Sequence, residues 1–123
     1  MNTAKPTDWK TKPMPPNHNI VTLNRELTDD DYKCLLIGII PKEMEDRWFM
    51  YTVDNQIHIH RSWTGYCIFV LRSEIINGKH TLTEALVNQD PDQYKAGSKE
   101  SVIANINLIL GWFIERNRIL LNE

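Results

Sequence analysis

No stretch of this 123-residue chain approaches the ~20 consecutive apolar residues that a membrane-spanning helix requires. Its first 19 residues are polar and proline-rich, unlike the apolar core of a secretory signal, so a cytoplasmic protein is expected. Positive charge is not in excess either: 14 Lys and Arg stand against 16 Asp and Glu, which leaves no field to hold a nucleic-acid backbone by counterion release. Cysteine is scarce, and Cys34 and Cys67 have no C-x-x-C partner, so neither a zinc nor a redox motif is readable and two buried free thiols are expected. Repeats and low-complexity segments are absent as well. What remains is an ordinary globular composition, 41% hydrophobic, enough for one packed core and one domain.

The elements follow from periodicity. Residues 1–19, with Pro6, Pro13, Pro15 and Pro16, read as an extended or disordered arm anchored at most by Trp9, ahead of a single domain over 20–123. Thr28 followed by Asp29, Asp30 and Asp31 is a helix start, and Tyr32, Leu35, Leu36 and Ile39 recur as one buried face until Gly38 and Pro41 end it. From Arg47 the period becomes two. Asp54-Asn55, Thr64-Gly65 and Asn77-Gly78 then divide 47–88 into four strands, roughly Arg47 to Val53, Gln56 to Trp63, Tyr66 to Ile76 and Lys79 to Asn88. Ser98 caps a final helix reaching about Leu120, with Val102, Ile106, Ile109, Phe113 and Leu120 as its apolar stripe. The expected fold is therefore α+β, a four-stranded antiparallel meander with a short N-terminal helix and a long C-terminal helix packed on the sheet.

Two-residue turns fix a register by counting, with Val53 opposite Gln56, Trp63 opposite Tyr66 and Ile76 opposite Lys79. One face then carries Trp48, Met50, Ile59, Arg61, Ile68, Val70, Ala85 and Val87, apolar enough to receive the long helix. The other mixes Phe49, Tyr51, Phe69 and Leu71 with His58, His60, Ser62, Cys67 and Asn88, a composition that suits a partly covered pocket. A bulge in the third of these strands would shift part of this register by one and exchange the faces. Counting also brings the start of the first strand, the Thr64-Gly65 turn and the end of the fourth strand to one corner. Arg47, Trp48, His60, Arg61, Ser62, Trp63, Thr64, Asn88, Asp90 and Tyr94 are the candidate binding residues there.

The chemistry of that corner is read from residue type. An Arg fork holds phosphate or carboxylate through two hydrogen bonds, an indole stacks on a base, and turn amides complete anion coordination. The structural alternative is a cation-π pair between Arg61 and Trp48, with Ser62 and Thr64 serving only the turn. His58 and His60 share a face at a spacing used by metal sites, but no nearby acidic or Cys ligand completes a set, so neither metal nor cofactor is assigned. His60-x-Ser62 is half of the paired His-x-Ser/Thr signature of two-histidine phosphoesterases, and the second half is missing.

Trp48-Phe49-x-Tyr51, His60-Arg61-Ser62-Trp63-Thr64-Gly65-Tyr66-Cys67 and Asn88-x-Asp90-Pro91-x-Gln93-Tyr94 together resemble a family of small bacterial and phage proteins. The resemblance covers about 48–94 and implies an association with genes of ADP-ribose and NAD chemistry. Its relatives often carry Arg after the Asn, where this chain has Gln89. The leading expectation is non-catalytic binding of a phosphate-bearing, nucleotide-like ligand such as an ADP-ribose or NAD derivative. The alternatives are a hydrolase of a nucleotide or ADP-ribosyl ester with His60 as acid or base, and an interaction module whose Trp-rich edge meets a partner, including a second copy in a homodimer.

Overall fold

A computed structural model describes residues 3–122. Its elements are a short 3-10 turn at Pro6–Asp8, then β1 (His18–Leu27), α1 (Asp29–Ile37), β2 (Trp48–Val53), β3 (Gln56–Arg61), β4 (Cys67–Ile76), β5 (Lys79–Asn88) and α2 (Lys99–Leu121). The α+β class and the antiparallel sheet are as expected. The sheet has five strands rather than four, in the order β1-β5-β4-β3-β2.

The added strand β1 pairs along β5, and it opens with His18 and Asn19, two residues read from sequence as arm. Its inward positions are Val21, Leu23, Arg25 and Leu27. A charged residue among them, and two adjacent apolar residues at Ile20 and Val21, blur the alternation that marks a half-buried strand.

The predicted β2–β3 hairpin is observed residue for residue, with Val53 facing Gln56 and Trp48 facing Arg61. Asp54 and Asn55 both take positive φ, as do Asn77 and Gly78 at the β4–β5 turn, which is the geometry of type I′ turns. The Thr64-Gly65 turn differs. Arg61 N–H donates to the Tyr66 carbonyl and Gly65 N–H to the Arg61 carbonyl, both at 2.9 Å, so four residues, not two, lie between the paired ends. One step further Ile68 is inserted as a bulge, since His60 pairs with Cys67 while Ile59 pairs with Phe69.

The net slip of one residue exchanges part of the two faces. Phe69 and Leu71, expected on the mixed face, join the helix-side core with Met50, Ile59, Ala85 and Val87. Val70 instead stands opposite His58, on the mixed face. A second irregularity follows in β5, where Thr83 is extra between the Arg72/Glu84 and Ser73/Leu82 pairs.

α1 begins as predicted, with Thr28 accepting from Asp31 N–H and Asp31 reaching back to the Thr28 amide. It stops at Ile37 because Gly38, at φ 73°, turns the chain so that Ile39 bridges Met50. Ile39 is therefore buried as a sheet residue. Leu36, expected on the buried face, is exposed, and Cys34 and Ile37 are buried instead. Ser98 caps α2 through Ser101 N–H, and Val102, Ile106, Ile109, Leu110, Phe113 and Ile114 lie in the core, while Leu120 at the frayed end is exposed. Asn117 is fully enclosed and donates to the carbonyls of Cys34 and Gly38, so α2 satisfies the open end of α1.

The described part of the arm, from residue 3 on, runs along the mixed face, and residues 1 and 2 lie outside the described residues. Ala4 N–H donates to the Ile37 carbonyl, Lys12 N–H to the Gly65 carbonyl, and Ala4 packs with Phe49 and Tyr51 as a small second core. Trp9 is the anchor, 6.5 Å from the Phe49 ring and donating its indole N–H to the Ser62 carbonyl at 2.7 Å. This layer closes much of the face that composition marked as a pocket.

Candidate ligand-binding cleft

The open site lies at the corner rather than on the mixed face. A cleft of about 810 Å³ runs between the β3–β4 turn, the loop before β2 and the segment after β5, a volume within the range of small-molecule sites. The turn and its strands contribute Arg61, Trp63, Thr64 and Tyr66, and the loop before β2 contributes Met44, Glu45 and Arg47. Asp92, Gln93, Tyr94 and Lys95 form the opposite wall. Two stretches distant in sequence are thus joined, as counting along the hairpins required.

Arg61 lines the cleft with its guanidinium carbon 4.8 Å from the middle of the Trp48 ring. That is the cation-π pair foreseen as a structural reading, but it does not use the guanidinium hydrogens. Among the described residues, no carboxylate lies within 4.0 Å of Arg61 or Arg47. Stacking on Trp48 orients the fork and leaves its N–H groups for a ligand. Trp48 itself is half-buried and does not line the cleft.

Trp63 is 64% exposed, more than Trp112 at 48%. Its indole N–H donates to the Met44 carbonyl at 3.1 Å, which ties the ring to the loop before β2. The loop carrying Met44 is in turn organised by Asp46, whose carboxylate accepts from the amides of Lys42 and Glu43 at 2.9 and 3.2 Å. These backbone bonds, that of Lys42 first, hold the Asp46 carboxyl below its usual range. Ser62 is buried and donates to the Asp46 carbonyl at 2.6 Å, locking the same loop onto the turn.

The other predicted residues support the site from beneath. Asn88 has no exposed surface, donates to the Cys67 carbonyl and to Gln93 Oε1, and accepts from Asp90 N–H. Asp90 accepts from Asp92 N–H in an Asx turn, and its carbonyl takes the amides of Gln93 and Tyr94. Asn88 and Asp90 thereby shape the wall without lining it. Tyr94 does line it, its ring set edge-on to Phe69 at 5.7 Å.

Arg47, Arg61, Trp63, Thr64 and Tyr94 are therefore cleft residues, and Trp48, Ser62, Asn88 and Asp90 are their scaffold. His60 belongs to neither group. It is 2% exposed among Phe49, Tyr51 and His58, with Nδ1 3.0 Å from the Gly65 carbonyl. Lys95 and Glu45 were not singled out from sequence, because they sit in irregular segments whose path depends on the hydrogen bonds of Asp46 and Asn88.

The pairing of β3 with β4 has one further consequence. Counting set Cys67 opposite Ser62, whereas the four-residue turn sets it opposite His60. A ring nitrogen of His58, one of His60 and the Cys67 sulfur then lie within 4.8 Å of one another, so a thiol does stand beside the two histidines. Comparison with known protein families, with curated proteins and with solved structures found no match for this chain.

Proposed function

We propose that the corner cleft binds a phosphate-bearing, nucleotide-like small molecule, of the ADP-ribose or NAD type, and holds it without turnover. The observation that carries this reading is the guanidinium of Arg61, which stacks on Trp48, lines an open cleft and has no carboxylate partner within 4.0 Å among the described residues. Its fork, with Arg47 and Lys95 beside it, meets the phosphate charge. Trp63 offers a pre-oriented indole face for the base, and Glu45 and Asp92 supply acceptors for ribose hydroxyls. The arrangement pairs charge recognition with stacking, and each half alone is weak.

A role for His60 as acid or base in this cleft finds no support, because its ring is buried under the arm and does not line the cleft. Thermal shift against a panel of adenosine, AMP, ADP, NAD and ADP-ribose tests the reading, since a ligand that binds only the folded state raises the midpoint. ADP-ribose or NAD is expected to give a larger shift than adenosine, and Arg61→Ala to remove the difference. A flat panel, or shifts that Arg61→Ala leaves intact, would overturn it.

A further inference from the structure

Away from the cleft, two imidazoles and a thiol converge on the covered side of the sheet. His58 and His60 point the same way from β3, and Cys67 stands opposite His60 on β4. Their donor atoms lie within 4.8 Å of one another. The environment is enclosed: Cys67 is 1% exposed and His60 2%, while His58 is only half-buried. Tyr51 stacks on His58 at 4.7 Å and 9°, and on His60 at 5.6 Å, which aligns the two imidazoles.

His60 carries the independent indication of a ligand. Its Nδ1 is 3.0 Å from the Gly65 carbonyl, and since a carbonyl only accepts, Nδ1 is the protonated nitrogen. In the neutral imidazole Nε2 then carries the bare lone pair. Among the described residues it is the one buried side-chain nitrogen or oxygen that has no hydrogen-bond partner. An imidazole with one nitrogen fixed by a backbone carbonyl and the other left bare is the arrangement that metal-binding histidines adopt.

We infer that His58, His60 and Cys67 form a binding site for a thiophilic metal ion of the zinc(II) class, held by two imidazoles and one thiolate. A tetrahedral ion at about 2.0 Å from nitrogen and about 2.3 Å from sulfur sets its ligands roughly 3.5 Å apart. The donor atoms already lie within 4.8 Å of one another, and His58 is the one member of the three that is not fully buried. Sulfur selects against magnesium and calcium, and three protein ligands leave a fourth position for water or another donor. The incoming ion displaces the Cys67 thiol proton to solvent as the sulfur–metal bond forms.

The test uses the untagged full chain, stripped with chelator and titrated with cobalt(II), followed by displacement with zinc(II). One equivalent of cobalt is expected to give an ultraviolet thiolate-to-cobalt band that zinc abolishes and that survives in Cys34→Ala. Cys67→Ala should lose the band, and His58→Ala should weaken zinc by about a hundredfold or more, beyond the 10- to 100-fold typical of losing an outer-shell partner. If Cys67→Ala fails to fold, the half-exposed His58 carries the decision by the same zinc affinity. A folded wild-type chain with no thiolate band, a band that persists in Cys67→Ala, or zinc affinity unchanged in His58→Ala would overturn the site.

Discussion

Arg61 and Asn88 show how differently two polar residues of one corner are used. The Arg61 fork lies over Trp48 and lines the cleft, so its removal is expected to cost the fold little and binding of the proposed ligand much. Arg61→Ala is expected to weaken binding of ADP-ribose by about 10- to 100-fold, the equivalent of about 1.4 to 2.7 kcal/mol, with a midpoint temperature close to that of wild type. Arg61→Lys is expected not to restore it, because a point charge does not replace a two-pronged donor; isothermal titration calorimetry reads both. Asn88 is the reverse case. Its amide joins the Cys67 carbonyl, Gln93 and the Asp90 amide in a wholly buried position, so Asn88→Ala leaves buried groups unpaired. A loss of about 3 kcal/mol in urea unfolding is expected, with weaker ligand binding as a by-product of a disordered wall. The sequence made both residues conspicuous, but a polar type at a convergent position does not by itself say which face its side chain takes.

At the level of elements, the loop before β2 and the arm determine how well the cleft is built. The Asp46 carboxylate ties that loop down through the amides of Lys42 and Glu43. Its pKa is lowered in the folded state, so the unfolded chain takes up the proton first as pH falls. The stabilisation is complete above the ordinary carboxylate pKa of about 3.9 and is lost as pH falls through the lower folded value. Asp46→Asn should therefore be less stable than wild type by about 1 kcal/mol at pH 7, and the gap should narrow in urea titrations taken below pH 4. Trp9 bridges the arm to the turn through Phe49 and the Ser62 carbonyl. Trp9→Ala is expected to cost about 2 to 3 kcal/mol, toward the low end for a large aromatic because the ring is only half-buried, and to expose the arm to proteolysis. The hairpins at 54–55 and 77–78 were legible because each turn pair accepts the positive φ of a type I′ turn. The 62–65 turn and the Ile68 bulge were not, since no residue type demands an inserted position, and Phe69, Leu71 and Cys67 were misplaced together as a result.

Across the whole molecule, the sheet carries two candidate sites. Its corner holds a cleft with three cations and an exposed indole, and its covered face encloses two histidines and a thiol. The α+β class and the long C-terminal helix could be read from periodicity. The fifth strand could not, because Arg25 occupies an inward position and breaks the alternation. The convergence of residues 47–64 with 88–94 survived the error in register, because both bulges leave the strand ends at the same edge. That convergence is the basis of the functional reading. Its most direct test is an amide and indole NMR titration of the full chain with ADP-ribose. Saturable shifts centred on the Trp63 indole and the amides of Thr64, Gly65, Gln93 and Tyr94, absent in Arg61→Ala, are the expected result. No shift at millimolar ligand, or shifts that map elsewhere on the sheet, would contradict it.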